Sequence, residues 1–270
     1  MLRLLSLLVA MAALPAAAQE RFITLASTTS TEQSGLFAHL LPIFRTATGI
    51  EVRVVAVGTG QALAIGERGD ADALLVHDRE GEQTFVAAGH GIDRRDVMYN
   101  DFLIVGPEGD PARIRGMRDA REALRAISAA NAPFVSRGDD SGTHRLELRL
   151  WRSAGREART APPWYRELGA GMGPTLNTAA GLDAYTITDR ATWANFKNRQ
   201  KLTILVEGDA ALFNPYSSIL VNPAKGPHIR AADAKLWHEW LTSPAGLSAV
   251  SSFRIGGEQL FYPLTPKGTN

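Results

Sequence analysis

Four times in this chain an apolar strand passes into a helix through a loop rich in hydroxyls or glycine, and that recurrence limits the fold more than any other feature. Phe22-Ile23-Thr24-Leu25-Ala26 reads as a strand, Ser27-Thr28-Thr29-Ser30-Thr31 as the loop, and Ser34 to Phe44 as a helix by its apolar spacing. Ile50 to Val57 alternates and is β-branched, as a strand should be. Gly58-Thr59-Gly60-Gln61 then leads into a helical run from Ala62. Ala132-Pro133-Phe134-Val135 ends a strand, Ser136-Arg137-Gly138-Asp139-Asp140-Ser141-Gly142-Thr143-His144 is the loop, and Arg145 to Trp151 is helical. Ala184 to Thr188 is the fourth strand, after which Asp189-Arg190 opens a helix to about Lys197. This order argues an α/β protein with a mainly parallel sheet. Ligands of such sheets sit at the carboxyl ends of strands, beside helix N-termini.

Two long apolar runs, near 97–107 and 211–223, read as crossings between lobes. They divide the chain into residues 19–101 with 214–270 as one lobe and 102–213 as a lobe inserted in it. Asp72 to His77 is a further buried strand, and a single histidine at its end is more often structural than a ligand. Helices are expected over 80–88, 117–130, 231–241 and 245–253, with Trp237 and Trp240 packing in the core and the tail from Gly256 as loop.

Residues 1–18 have the form of a secretory signal peptide: a basic start at Arg3, an apolar stretch to Pro15, and Ala16-Ala17-Ala18 before the cleavage point. Cleavage removes Arg3 and brings the formal charge from +1 to neutrality. A nucleic-acid partner, which would demand a basic face, is therefore not expected. The chain has no cysteine, so neither a lipid anchor on cysteine nor a disulfide is available. A soluble, monomeric, periplasmic protein is the simplest expectation.

Ser136 to His144 carries three hydroxyls, one guanidinium and two glycines in nine positions. A hydrophobic core has no use for that composition, whereas an anion does. Helix N-termini present free N–H groups and the positive end of the helix dipole. Ser141, His144 and Asp139 or Asp140 contain the types of a hydrolase triad, but they are too close in sequence and lack the Gly-x-Ser-x-Gly elbow. No Walker loop occurs, and the six histidines show no metal-ligand spacing. A fully ionised oxyanion fits better, because it accepts hydrogen bonds and offers no proton. Thr28, Thr29, Ser30, Ser136, Arg137, Ser141 and Thr143 suit it, with Gly142 giving close backbone approach. The remaining two loops add Thr59, Thr188 and Arg190, the last as a second counter-charge. Asp139 and Asp140 either orient Arg137 and cap the helix or meet a proton on an anion such as hydrogen phosphate.

Ser27-Thr28-Thr29-Ser30, Val76-His77, Met98-Tyr99-Asn100-Asp101-Phe102, Ser136 to His144 and Thr188-Asp189-Arg190 together resemble the tungstate-binding periplasmic proteins of ABC importers, the TupA type. Many of that family have threonine where this chain has Ser27, so Ser27 stays outside the expected ligand set. The resemblance implies a type II periplasmic binding protein: two α/β lobes joined by two hinge crossings, with the ligand cleft between them. It implies tungstate as ligand, with molybdate second, and a membrane permease and its ATPase as partners. No catalysis, no cofactor and no metal-ion ligand is expected. The alternatives are a phosphate- or sulfate-type carrier and a secreted serine hydrolase built on Ser141.

Overall fold

Alternation along two buried strands decides how the layers form. The computed structural model describes residues 20–156 and 162–264. The expected signal peptide and residues 157–161 of the connection before Trp164 lie outside them. In the first half the elements are β1 (Phe22–Thr28), α1 (Thr29–Gln33), α2 (Leu36–Thr48), β2 (Glu51–Val57), α3 (Thr59–Arg68), β3 (Ala73–Val76), α4 (Arg79–Ala87) and β4 (Gly91–Pro107). Ile23, Leu25 and Leu75 face one hydrophobic cluster with α2, while Ala26, Leu74 and Val76 face another with α3. Period-two side chains thus bury both faces of the sheet. Each large apolar side chain removed from water contributes about 1.5–3 kcal/mol.

The second half comprises α5 (Ala120–Ala129), β5 (Phe134–Ser136), α6 (Gly142–Ser153), β6 (Tyr165–Glu167), α7 (Met172–Gly181), β7 (Thr186–Asp189), α8 (Arg190–Asn195) and β8 (Leu202–Val206). β9 (Phe213–Val221), α9 (Ala231–Thr242) and α10 (Pro244–Ser252) return to the first sheet. The same alternation recurs here: Phe102 and Ile104 enter one cluster, Leu103 and Val105 the opposite one.

β4 belongs to both sheets. Gly91 to Asp101 pairs with β9, whereas Phe102 to Pro107 pairs with β7 and β8. β4 carries the chain out of the first sheet, and β9 begins where it comes back, opposite Asp101. The order β4-β9-β3-β1-β2 is parallel between β1, β2 and β3 but antiparallel at β3–β9 and β9–β4. The sheet is therefore mixed, not mainly parallel. An outgoing and a returning strand that lie side by side must run in opposite senses.

Other departures are local. β4 starts at Gly91 rather than Val97, because polar residues there still find β9 as a hydrogen-bonding partner. The tail holds a short hairpin, Arg254–Ile255 with Glu258–Gln259, and Tyr262–Pro263 pairs with β4. Trp237 and Trp240 are buried, and Phe44 meets Trp237 edge-on at 5.1 Å. Among the described residues no helix is long and apolar enough to cross a membrane.

Candidate anion-binding cleft

The first wall of the site comes from the ends of β1, β2 and β3. Thr28 caps α1, its Oγ1 accepting the Thr31 N–H at 3.3 Å. That oxygen also lies 2.7 Å from Thr31 Oγ1, 3.1 Å from Ser30 Oγ and 3.3 Å from His77 Nε2. Ser30 Oγ is 3.3 Å from the same nitrogen. His77 Nδ1 is 2.9 Å from Asn214 Oδ1, and Asn214 Nδ2 donates to Asn100 Oδ1 at 2.6 Å. With the amides assigned this way, Nδ1 carries the hydrogen and Nε2 presents a bare lone pair to the hydroxyls. Burial pushes His77 down to about 4, and nearby Arg137 works in the same direction against the Asn214 hydrogen bond. The imidazole is neutral at pH 7.

The second wall is the β5–α6 loop. Arg137 is only 1% exposed, yet it is a full charge. Its Nε and one terminal nitrogen donate to Asp139 Oδ2 at 3.1 and 2.6 Å, and that terminal nitrogen also reaches Thr29 Oγ1 at 3.3 Å. Asp140 turns the other way and pairs with Arg145 at 2.8 Å. So Asp139 orients Arg137, and Asp140 serves α6. Gly138 has φ +62°, and a β-carbon there would sit 2.8 Å from Glu167 Cβ, so the loop requires glycine.

Thr59 Oγ1, Ser136 Oγ, Arg137 Nη1 and Thr143 Oγ1 are among the buried donors that have no hydrogen-bond partner in the described residues. Contacts link the walls that carry them. A β-carbon on Gly142 would lie 3.1 Å from Thr59 Oγ1 and 2.7 Å from the His77 ring. Buried polar groups are almost always paired, and leaving one unpaired costs about 1–3 kcal/mol. Unpaired donors clustered in this way, one of them a guanidinium, are complementary to an oxyanion.

The structure thus brings Thr28, Thr29, Ser30, Thr59, Arg137 and Gly142 together, with Ser136 and Thr143 beside Arg137 and Gly142. Ser141 is the N-cap of α6: its Oγ accepts the His144 backbone N–H at 3.2 Å. His144 Nδ1 accepts the Asp140 N–H at 3.1 Å, so the imidazole is not Ser141's base. Thr188 is buried and gives its hydroxyl to the Asp189 carbonyl at 3.2 Å. Arg190 corrects an expectation. Its guanidinium is clamped by Asp101 and Glu207 at 2.6 Å each, so two carboxylates already hold the charge assigned to the ligand. Ser27 donates to the Leu75 carbonyl at 2.6 Å, a packing role.

Sequence reasoning missed His77 as a member of the site, although its place at the end of a buried strand was the available signal. It also missed Asp189, which caps α8 through Oδ1 at 2.8 Å while Oδ2 stays unpaired among the described residues. Burial raises its pKa, opposed by its bonds to Thr192 and by Arg137.

Beneath the loop, Glu147 is fully buried and accepts from Tyr165 Oη at 2.7 Å and Trp151 Nε1 at 3.2 Å. Burial pushes its carboxyl from 4.5 up to about 8. The folded protein therefore keeps a proton between pH 4.5 and 8 that the unfolded chain releases, and stability falls as pH rises through that window. His77 acts oppositely, costing stability as pH falls from 6.5 towards 4. Glu147→Gln keeps the acceptor oxygen without the titration. At pH 9 it should raise stability by about 1–3 kcal/mol, roughly 3–10 °C in calorimetry, with little gain at pH 5. An equal offset at both pH values would show that Glu147 is ionised in the native state.

Two α/β halves bridged by crossing strands, with buried donors facing each other between them, define a cleft-binding protein for a small anion. Residues 14–245 match the PBP superfamily domain. The tungstate-binding protein TupA of Peptoclostridium acidaminophilum is 48% identical over 244 residues, covering 90% of this chain and 84% of that protein. TupA of Campylobacter jejuni is 36% identical, covering 86% and 87%. The solved tungstate-binding protein TupA of Desulfovibrio alaskensis G20 superposes with a TM-score of 0.79 at 45% identity, covering 91% of this chain and all of that one. The chain belongs to the PBP superfamily and, within it, to the family of the TupA tungstate-binding proteins.

Proposed function

We propose that this protein captures tungstate in the cleft, with molybdate as a second ligand, and delivers it to the permease and ATPase of an ABC importer. The observation that carries this reading is the set of buried, unpaired donors, Arg137 Nη1 with Thr59, Ser136 and Thr143, between the two lobes. Asp139 is used by Arg137, and the unpaired donors outnumber the one unpaired carboxylate oxygen, Asp189 Oδ2. That favours a tetrahedral oxyanion without protons over hydrogen phosphate. Thr28 to Ser30 approach the ion from one lobe and the Ser136–Thr143 loop from the other, so the ligand bridges them. Only a ligand that binds the closed form more tightly can shift the balance towards closure. The closed, loaded form is the one a permease reads. The protein acts in the periplasm after removal of residues 1–18, as a soluble monomer without catalysis. The names of the relatives support the choice of ion.

The test is calorimetry and thermal shift on one purified sample with tungstate, molybdate, sulfate, phosphate and chromate. Tungstate should bind tightest, molybdate next, and sulfate and phosphate weakly. Phosphate binding best would overturn the reading and point to Asp189 Oδ2 as acceptor of the ligand's proton.

A further inference from the structure

Asp78 stands at the N-cap position of α4 but does not cap it. Aspartate at that position ordinarily bonds the first free N–H groups of its helix. Here Glu82 reaches back to the Asp78 N–H at 2.9 Å, while the Asp78 carboxylate turns across the cleft. Its two oxygens each accept a hydrogen bond from α6 at 2.9 Å, Oδ2 from Arg145 and Oδ1 from Arg149. The two arginines are four apart, on one face of α6. The Asp78 side chain is 2% exposed, and both of its charge partners come from α6 of the opposite lobe.

Two glycines make room for the arrangement. A β-carbon on Gly81 would fall 2.8 Å from Asp78 Oδ2 and 3.1 Å from Arg145 Nη1. A β-carbon on Gly60 would fall 2.7 Å from Arg145 Nη2 and 2.1 Å from Asp140 Oδ2. Gly60 and Gly81 lie within α3 and α4, where glycine costs about 1 kcal/mol against alanine. Space for the clasp explains both.

We propose that Asp78 is a positioning residue of the anion site: by holding Arg145 and Arg149 it seats α6 on the first lobe, so that Gly142 and Thr143 at the helix start reach the ion. The inference rests on the anion-binding reading. Asp78 touches none of the expected ligand contacts, and it adds a negative charge to the rim of an anion site. By charge alone its loss would strengthen anion binding; as a clasp its loss opens the closed form and weakens binding. The two effects differ in sign.

The test uses the mature chain and sodium tungstate, with affinity from calorimetry and release from stopped-flow fluorescence. Asp78→Asn should weaken binding about tenfold, most of it as faster release. Gly81→Ala changes no charge, favours the helix, and crowds the clasp. It should also weaken binding, with apo melting followed alongside because the methyl also comes 3.0 Å from Leu63 Cδ1 on α3. Unchanged or tighter binding in both variants, with wild type binding normally, would overturn the proposal. Failure of wild type to bind tungstate would instead sink the functional reading.

Discussion

Arg137→Ala will weaken tungstate binding by roughly a hundred- to ten-thousandfold, or about 3–5 kcal/mol. The guanidinium supplies charge-assisted hydrogen bonds, each worth about 1.5–3 kcal/mol. Its removal also strands Asp139, which Arg137 now neutralises at 2.6 Å, beside an incoming dianion. The apo protein should melt within roughly 5 °C of wild type, because Arg137 lines the cleft rather than a hydrophobic cluster. Arg137→Ala with Asp139→Asn isolates the second term: part of the affinity should return. Calorimetry showing unchanged tungstate affinity in folded Arg137→Ala would remove Arg137 from the site.

Gly142→Ala should separate binding from stability. An added methyl at Gly142 would lie 2.7 Å from His77 Cε1, an atom of the opposite lobe. Gly142 is the first residue of α6, where alanine is no worse than glycine. The clash exists only when the lobes meet. Overpacking of this kind costs about 1–3 kcal/mol, so affinity should fall roughly ten- to a hundredfold while apo stability holds or rises. Small-angle scattering with saturating tungstate should show a more open particle than loaded wild type. A variant that binds and closes like wild type would mean that the ring and helix shift apart at no cost.

Much of this site was legible in the residues. Five hydroxyls in a row at Ser27–Thr31 exceed what one N-cap needs, and the structure uses Thr28 for the cap and still leaves Ser30 against His77. Arg137 among glycines and hydroxyls implied an anion, and its buried, unpaired nitrogen fits that demand. Arg190 shows the limit. In sequence it read as a second counter-charge beside Arg137, each following the end of a strand. Only its neighbours in space distinguish them: Arg137 meets one carboxylate and keeps a nitrogen free, while Arg190 meets two. His77 was hidden for a related reason, since its partner Asn214 lies on β9, 137 positions away.

Local patterns determined the strands, the helices, the crossings and the loops that carry the chemistry. Period-two and period-3.6 burial and the strong preferences of Ser, Thr and Gly at junctions act within a few residues. Tertiary structure alone decided which charges cancel, which donors stay unpaired, and which residues clasp the lobes. Asp139 with Arg137, Asp140 with Arg145, and Asp78 with Arg145 and Arg149 are outcomes of distance between groups, and Coulomb energy follows that distance, not sequence order.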